Sequence, residues 1–264
     1  MTRVWLLDGL REVPADAPVI RADDLGFVRG ESVFETLRVV DGRPRFLEEH
    51  LARMATSAAR VGMELGDFAA LAVKAAEGHA DAGLRLTMTK GGVGVAVVFA
   101  IAPETVAGRA GITVVSLPLG IASDYRAGQP WALGGVKSTS YAVNMAASRY
   151  AHELGADDAI WTSTDGFVLE APTSTVIALV DGGWVTPPAA TGILPGTTLL
   201  ACQRLTEIAV APLPVAALAQ ADEVALLSSV RGVAPVTRLD GRELGVGPRA
   251  ADLGAALEET LHRS

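Results

Sequence analysis

The amino-acid sequence predicts an α+β fold made of two lobes. The chain has 264 residues, whereas single domains usually contain roughly 100–200 residues. Strand-like and helix-like segments are mixed in both halves, without the regular βαβ alternation of a doubly wound sheet. We therefore expect an N-terminal α/β lobe at residues 1–116, a connection at 117–131 and a C-terminal lobe at 132–264.

The N-terminal half is predicted to contain short strands, two helices and a hairpin. VWLLDG is strand-like, and Asp41-Gly42 between two strand-like runs is a hairpin signal. Apolar residues from Leu47 to Met63 keep helical spacing, which predicts an amphipathic helix. A second helix is expected near residues 68–79, and residues 84–90 and 93–101 are predicted to form another hairpin around a Gly-Gly pair.

The C-terminal half follows the strand-like ITVVSLPL and a passage with Gly and Pro that ends at Pro130. Tyr141 to Leu154 is predicted to be a helix that stops at Gly155. Short strands with Asp-Gly turns come next, and TTLLACQRLTEIA, after a Gly/Pro loop, is predicted to be a helix. A last strand, EVALLSSV, and a closing helix from Ala250 to His262 complete this half.

Composition and charge limit the class of protein. The net charge of −8 argues against nucleic acid as a main partner, because phosphate binding needs clustered Lys and Arg. The longest apolar stretch, Val93 to Ala102, is too short and too broken by Gly to span a bilayer. A single cysteine, Cys202, excludes a disulfide framework and a cysteine metal site, and we expect no metal. The N-terminus shows no signal-peptide pattern, so we expect a cytoplasmic location without a membrane partner.

Of the three lysines in the sequence, Lys137 has the surroundings that best suit lysine chemistry. The apolar, Gly-containing WALGGV precedes it, and the small polar run Ser138-Thr139-Ser140 follows it. A lysine that emerges from a buried strand is desolvated, which favours the neutral amine that Schiff-base chemistry requires. Local context alone still favours a surface lysine at a strand end. Lys74 and Lys90 lie in more solvated surroundings, on a helix rich in Ala and Glu and beside a Gly-Gly turn.

Two further segments could bind an anion and a ring nitrogen. Gly192 to Thr198 precedes a predicted helix, where unpaired backbone N–H groups and threonine hydroxyls suit a phosphate dianion. An ordinary loop with a Thr N-cap has the same pattern. Glu170 lies in the strand-like FVLEAP, and a carboxylate there could keep a pyridine nitrogen protonated. Taken alone, Glu170 is more typical of a solvent-exposed residue at a strand end.

Six segments, taken in chain order, resemble the class IV aminotransferase family, which depends on pyridoxal 5′-phosphate (PLP). They are VFETLR (33–38), HLARM (50–54), VKSTSYAVN (136–144), LEAPTSTV (169–176), GILPGTT (192–198) and SSVRGVAPV (228–236). The family includes branched-chain aminotransferases, D-amino-acid aminotransferases and 4-amino-4-deoxychorismate lyases. The resemblance spans nearly the whole chain and implies the two-lobe PLP fold type IV, like that of D-amino-acid aminotransferase, with a C-terminal cofactor-binding lobe.

The resemblance also implies a role for each motif residue. Lys137 is the catalytic lysine that forms the Schiff base, and Glu170 partners the pyridine nitrogen. Arg53 grips the cofactor phosphate with a fork that suits an anion, the alternative being an exposed helical arginine. The other cofactor-binding residues are Thr173, Ser174, Gly196, Thr197, Thr198 and Ser229. Members of the family are usually homodimers, so the resemblance implies a homodimer that acts on a small carboxylate substrate.

Similarity to the lyase branch gives the leading hypothesis. Ser-Ser-Val-Arg-Gly at 228–232 is similar to the Asn-Ser-Leu-Arg-Gly of aminodeoxychorismate lyases, and Arg29-Gly30 also resembles that branch. A substrate with two carboxylates gives Arg29 and Arg231 a reason to bind it, although either arginine could be a structural loop residue. Tyr141 and Val230 complete the predicted substrate contacts. We therefore expect release of pyruvate from 4-amino-4-deoxychorismate, which leaves 4-aminobenzoate for folate synthesis.

Two alternatives remain open. An aminotransferase for D-amino acids or branched-chain amino acids uses the same cofactor residues, with Lys137 moving a proton between substrate and cofactor. The branched-chain alternative is weakened because Ser-Thr-Ser-Tyr and Leu199 stand where those enzymes have Gly-Asn-Tyr and Arg. The spacing from Lys137 to Asn144 resembles that of the D-amino-acid aminotransferase and lyase branches, although Ser140 stands where Asn is common in them. The third hypothesis is a non-enzymatic PLP-binding or scaffold protein, which the joint presence of Lys137, Glu170 and Arg53 disfavours.

Overall fold

The computed structural model describes residues 2–263, which form two units. Within the described residues, the N-terminal unit contains residues 2–102, the segment Val136–Tyr141 and residues 261–263. The C-terminal unit contains Pro103–Gly135 and Ala142–Thr260. Strands and helices are mixed in both units, which confirms the predicted α+β class.

The N-terminal unit is built on one antiparallel sheet. Its described strands are β1 (Arg3–Leu6), β2 (Arg11–Val13), β3 (Ser32–Val40), β4 (Arg43–Pro44), β5 (Asp81–Thr89) and β6 (Gly94–Phe99). They lie in the order β2-β1-β6-β5-β3-β4, and every neighbouring pair is antiparallel. The described helices of this unit are α1 (Leu25–Val28), α2 (Leu47–Arg60) and α3 (Phe68–Ala76).

The two long helices, α2 and α3, pack on one face of this sheet. Alternate residues of β3 point to that face, and Leu37 and Val39 have no exposed surface. They share a hydrophobic core with Met54 of α2 and Leu71 of α3. Because side chains alternate along a strand, Glu35 points into the same apolar layer, and it is also fully buried.

Several elements that depend on local sequence match their predictions. The predicted amphipathic helix that begins at Leu47 is α2, and the predicted hairpin around the Gly-Gly pair is formed by β5 and β6. Asp41 and Gly42 connect β3 to β4 with φ angles of 51° and 74°. Two successive residues with positive φ are what a type I′ hairpin requires, so the Asp-Gly signal is confirmed.

The C-terminal unit is built on a mixed sheet. Its described strands are β7 (Ile112–Pro118), β8 (Asp158–Thr162), β9 (Thr175–Val180), β10 (Gly183–Thr186), β11 (Ile208–Val210), β12 (Glu223–Ser228), β13 (Gly232–Leu239) and β14 (Arg242–Glu243). The strand order is β11-β10-β9-β12-β13-β7-β8, and β14 pairs with β13. The described helices that begin in this unit are α4 (Pro103–Ala107), α5 (Tyr125–Gly128), α6 (Ala142–Glu153), α7 (Thr197–Gln203), α8 (Val215–Leu218) and α9 (Pro248–Arg263).

One predicted helix is shorter than the sequence suggests. The prediction of a helix across TTLLACQRLTEIA, residues 197–209, is wrong at its end, because α7 stops at Gln203. Ile208 begins β11, where it pairs in parallel with Trp184 of β10, and both side chains are buried. Burial beside a neighbouring strand therefore outweighs the helical pattern of the segment.

The division into units differs from the predicted one at four places, because residues 103–116 and the predicted connection 117–131 lie in the C-terminal unit, whereas residues 136–141 and 261–263 lie in the N-terminal unit. The sequence places residues 112–116 in the N-terminal lobe, but β7 lies in the C-terminal unit because it pairs in parallel with β8 and β13. The sequence also places Lys137 in the C-terminal lobe, yet Val136–Tyr141 belongs to the N-terminal unit. Two backbone bonds explain this: Phe34 N donates to Lys137 O at 3.0 Å, and Thr139 N donates to Ser32 O at 3.0 Å.

The described residues lack a membrane-spanning helix, a cluster of metal-binding side chains and an accessible thiol. Within residues 2–263, no helix has both the length and the apolar composition needed to cross a membrane. The same residues contain no group of three or more His, Cys, Asp and Glu side chains that could hold a metal ion. Cys202 is fully buried, and burial raises the pKa of its thiol to about 12.

Candidate active site

The structure holds the backbone of Lys137 between β3 and α2. Lys137 N donates to Ser57 Oγ at 3.1 Å, and Lys137 O accepts from Phe34 N at 3.0 Å. The Nζ atom lies 4.5 Å from the centre of the Phe34 ring and 5.6 Å from the centre of the Tyr141 ring. The two rings meet edge to face, with their centroids 5.2 Å apart. The amine therefore lies on an aromatic surface, which brings the predicted substrate residue Tyr141 to Lys137.

Arg53 lies on the helix that holds the Lys137 backbone. Arg53 and Ser57 are four residues apart on α2, so their side chains share one face of the helix. Arg53 Nε donates to Glu35 Oε1 at 2.7 Å, and Arg53 Nη2 donates to Glu35 Oε2 at 2.7 Å. The arginine side chain is 9% exposed. The Nε and Nη2 edge of the Arg53 guanidinium is thus bound to Glu35. Binding of Arg53 to the cofactor phosphate stays a prediction.

Glu35 is an ionised group in an apolar layer. Its side chain is fully buried, and His50 Nδ1 lies 2.6 Å from Glu35 Oε2. Burial is the largest influence and opposes ionisation, but hydrogen bonds from Arg53 and His50 outweigh it and lower the pKa of Glu35 to about 2. Burial also lowers the pKa of His50, so we assign a neutral ring whose Nδ1–H donates to the carboxylate. Sequence reasoning assigned Glu35 no role, although it lies in the VFETLR motif.

Arg29 lies in a segment that packs against the Lys137 segment. Gly30 O accepts hydrogen bonds from Thr139 Oγ1 and Ser140 Oγ, both at 3.3 Å. Gly30 has a φ of 70°, and a Cβ added there would lie 2.4 Å from Ser140 Oγ, so only glycine allows this approach. Arg29 itself is exposed. The structure therefore holds this predicted substrate residue beside the segment that carries Lys137.

Arg85 is a candidate that sequence reasoning missed. It lies on β5 opposite Thr36 of β3, which places it on the same face of the sheet as Phe34. Its guanidinium lies 5.4 Å from the centre of the Phe34 ring, the ring over which Lys137 Nζ also lies. Arg85 is exposed, so an anionic ligand can reach it. No motif marks this position, and only the register of β3 and β5 reveals it.

In the C-terminal unit, two donors orient Glu170. Arg126 Nη1 donates to Glu170 Oε1 at 3.2 Å, and Leu194 N donates to Glu170 Oε2 at 3.0 Å. The carboxylate is 19% exposed, so a ligand can still reach it. Arg126 is 44 residues away along the chain and belongs to no motif, which is why sequence reasoning missed it. The contacts of Glu170 with a pyridine nitrogen, and of exposed Thr173 with the cofactor, stay predictions.

The predicted phosphate-binding residues of the C-terminal unit form a cluster of hydroxyl groups. Thr197 and Thr198 are buried at the start of α7, and Thr197 Oγ1 lies 3.4 Å from Ser229 Oγ. Gly196 is the N-cap residue, and a Cβ added there would lie 2.3 Å from Thr175 Oγ1. Hydroxyls beside the first backbone N–H groups of a helix suit a phosphate dianion. This set of donors therefore fits the phosphate of PLP.

Arg231 makes an ion pair inside the C-terminal unit. Its Nη2 donates to Asp158 Oδ2 at 2.8 Å and to Ser174 Oγ at 3.1 Å, and its side chain is 14% exposed. Val230 O accepts from Arg109 Nη2 at 3.0 Å. These contacts hold the loop that carries Val230 and Arg231, and a substrate carboxylate at Arg231 would compete with Asp158. The predicted ligand contacts of Ser174, Val230 and Arg231 stay predictions.

The ionised state of Glu35 predicts that stability depends on pH. A carboxyl with a folded pKa of about 2 and an ordinary pKa of 4.5 stabilises the fold fully at neutral pH and loses this contribution as the pH falls. We expect a loss of about 1 kcal/mol near pH 4, and Glu35→Gln should remove it. Urea unfolding gives the free energy of unfolding at each pH between about pH 4 and pH 7 and so measures this loss. Asp81→Asn, which removes a different arginine-paired carboxylate from the same sheet, is the control. A Glu35→Gln variant with the pH dependence of the parent chain would contradict the assignment.

A family model and a curated relative both match most of this chain. The family model described as amino-transferase class IV matches residues 32–239. A bifunctional aminodeoxychorismate lyase / D-amino acid transaminase from Mycobacterium tuberculosis is 39% identical over 263 aligned residues, which cover 88% of this chain and 90% of that protein. Both comparisons confirm the resemblance that the six motifs indicate.

Solved structures share the fold across the chain. A fold IV transaminase from Curtobacterium pusillum has a TM-score of 0.89 and 36% sequence identity, with 100% of each chain covered. The PLP-bound form of a hypothetical aminotransferase from Mycobacterium tuberculosis has a TM-score of 0.89 and 34% identity, and the match covers 99% of this chain and 98% of that one. The predicted PLP fold type IV, the PLP cofactor and an enzymatic function as lyase or transaminase are therefore confirmed. The chain belongs to the class IV aminotransferase family of PLP-dependent enzymes.

Proposed function

We propose that the protein is a 4-amino-4-deoxychorismate lyase, which forms 4-aminobenzoate and pyruvate for folate biosynthesis. The observation that carries the proposal is the position of two exposed arginines in the N-terminal unit. Arg29 lies in the segment that is hydrogen-bonded to the Lys137 segment. The Arg85 guanidinium and Lys137 Nζ both lie over the Phe34 ring. A substrate with two carboxylates offers a partner to each cation, whereas an aliphatic amino acid has only one carboxylate.

The aromatic surface beside Lys137 also supports a ring-shaped substrate. Tyr141 is partly exposed, packs edge to face on the buried Phe34 ring and offers apolar surface next to the amine, and flat rings pack well on such surfaces. A substrate ring bound there has its reacting carbon close to Lys137 Nζ. The proposed substrate contacts are Arg29, Arg85, Tyr141, Val230 and Arg231.

In the proposed reaction, each predicted residue has a task. PLP, when bound, withdraws electrons from the substrate carbon next to the amine. Lys137 Nζ takes the proton from that carbon and is able to return a proton to the product. Glu170 keeps the pyridine nitrogen protonated, and Thr173 and Ser174 add contacts to the cofactor. The proposed phosphate ligands are Arg53, Gly196, Thr197, Thr198 and Ser229.

D-amino-acid transamination is the second candidate. It is supported by the Mycobacterium tuberculosis relative, whose description joins this activity to aminodeoxychorismate lyase. Both reactions begin when Lys137 removes a proton from the same kind of carbon, and transamination differs in returning that proton to the cofactor. Branched-chain transamination has less support, because Leu199 stands where those enzymes have Arg.

We also propose that the protein acts as a cytoplasmic homodimer. The dimer rests on the family resemblance, and the location rests on the composition and patterning of the sequence. The acidic net charge of −8 adds no reason to expect a nucleic-acid partner.

The lyase proposal predicts pyruvate release from 4-amino-4-deoxychorismate without an amino acceptor, because the departing group carries the pyruvate carbons. The purified chain is incubated with this substrate alone and, separately, with D-alanine and 2-oxoglutarate. Pyruvate is measured in the first reaction and glutamate in the second. Lys137→Ala should abolish both activities, and Lys74→Ala, on an exposed part of α3, should retain both. Glutamate formation without pyruvate from the first substrate would refute the lyase and favour the second candidate.

Arg29 is expected to bind the carboxylate that D-alanine lacks. Arg29→Ala should raise KM for 4-amino-4-deoxychorismate by about tenfold, because a charge-assisted hydrogen bond is lost. KM for D-alanine should change by less than about threefold. Arg11→Ala, which removes an exposed arginine of β2 in the same unit, is the matched control. Equal changes in KM for the two substrates would show that Arg29 does not bind the second carboxylate of 4-amino-4-deoxychorismate.

A further inference from the structure

We propose that Glu35 is a positioning residue that aims the guanidinium of Arg53 at the cofactor phosphate, with His50 holding the Glu35 carboxylate in place. The inference rests on the proposed role of Arg53 and goes beyond it, because neither Glu35 nor His50 is among the proposed ligands. The juxtaposition that carries it is one buried carboxylate with three donor contacts from a single helix, α2.

Stabilisation of the fold alone does not explain why a glutamate lies at position 35. Its neighbours on the inward face of β3, Val33 and Leu37, have no exposed surface and pack in the hydrophobic core. A hydrophobic side chain would suit that layer at least as well, because replacing a buried ion pair by apolar groups is often neutral or stabilising. An ion pair in this layer therefore calls for another explanation, and orientation of the arginine supplies one.

The geometry of the fork fixes how Arg53 presents its other edge. Nε and Nη2 both donate to Glu35 at 2.7 Å, so the guanidinium plane is aligned with the carboxylate plane. The planar group then directs Nη1 away from Glu35 along a defined line. A single hydrogen bond would leave the plane free to turn about the bond, whereas two parallel bonds do not.

A hydrogen bond to His50 restricts rotation of the Glu35 carboxylate. Its Nδ1 lies 2.6 Å from Glu35 Oε2, the oxygen that also accepts from Arg53 Nη2. Two donors on one oxygen and one donor on the other hinder rotation of the carboxylate about its bond to Cγ. His50 is 1% exposed and lies three residues before Arg53 on α2, so helix and strand are tied at one point.

The same strand offers a matched control pair outside the proposed site. Arg38 Nε donates to Asp81 Oδ1 at 2.8 Å, and Arg38 Nη2 donates to Asp81 Oδ2 at 3.0 Å. Arg38 is 4% exposed, so it too is a buried arginine held by a carboxylate fork. None of the proposed cofactor ligands takes part in this pair. Asp81→Asn therefore removes a similar fork from β3 and β5 without touching the proposed phosphate ligands.

The test compares the affinity of the full chain for PLP with its affinity for pyridoxal, which lacks the phosphate. Both are measured by absorbance titration on the parent chain and on Glu35→Gln, Arg53→Gln and Asp81→Asn. We expect Glu35→Gln and Arg53→Gln to weaken PLP binding by about tenfold and pyridoxal binding by less than about threefold. Asp81→Asn should leave the ratio of the two affinities unchanged. General damage to the fold lowers both affinities together and does not move the ratio.

Glu35→Asp is the second variant, because it keeps the buried negative charge that pairs with Arg53 and serves as the test if Glu35→Gln does not fold. Its shorter side chain draws the guanidinium out of position, so we expect a fall in the ratio that is smaller than for Glu35→Gln. A fall in the ratio for Arg53→Gln, with none for Glu35→Gln or a folded Glu35→Asp, would overturn the positioning role and leave the role of Arg53 intact. An unchanged ratio for Arg53→Gln would remove the proposed phosphate contact and the inference with it.

Discussion

Backbone pairing between residues 137–139 and the start of β3 is the interaction on which the proposed site in the N-terminal unit depends. The chain leaves this unit at Pro103 and returns at Val136, and the returning segment is captured by two hydrogen bonds to Ser32 and Phe34. Ser57 of α2 accepts a third bond from Lys137 N. Because all three bonds involve the backbone of the segment, they set the position of Lys137 independently of its side chain. The amine thereby gains its defined relation to Phe34 and Tyr141.

Successive side chains of β3 point to opposite faces of the sheet, so this one strand places two different groups of contacts on its two faces. Glu35 points inward to α2, where it holds Arg53, whereas Phe34 points to the other face, where Lys137 Nζ and Arg85 lie over its ring. A shift of one residue in the register between β3 and β5 would exchange these faces and bury Phe34 against α2. The apolar inward face, which includes Leu37, fixes that register. Packing of the core therefore also determines where the proposed site residues of this strand lie.

Features that depend on neighbouring residues could be predicted from the sequence. The 3.6-residue spacing in α2 and the Asp41-Gly42 turn are local, and six short motifs were enough to identify the family. The partners of the site residues could not be predicted in this way. Arg53 and Glu35 are 18 residues apart, and Arg126 and Glu170 are 44 residues apart, so these pairs exist only once strands and helices have packed. The strand at Ile208 was missed for the same reason, because its partner strand lies elsewhere in the chain.

Covalent attachment of PLP at Lys137 Nζ is the central claim about this protein. Borohydride reduction of the PLP-loaded chain makes the link permanent, and mass spectrometry of its peptides then shows which of the three lysines carries the added mass. We expect the added mass on the peptide that contains Lys137, with the peptides of Lys74 and Lys90 unchanged. Added mass on Lys74 or Lys90, with an unmodified Lys137, would contradict the claim.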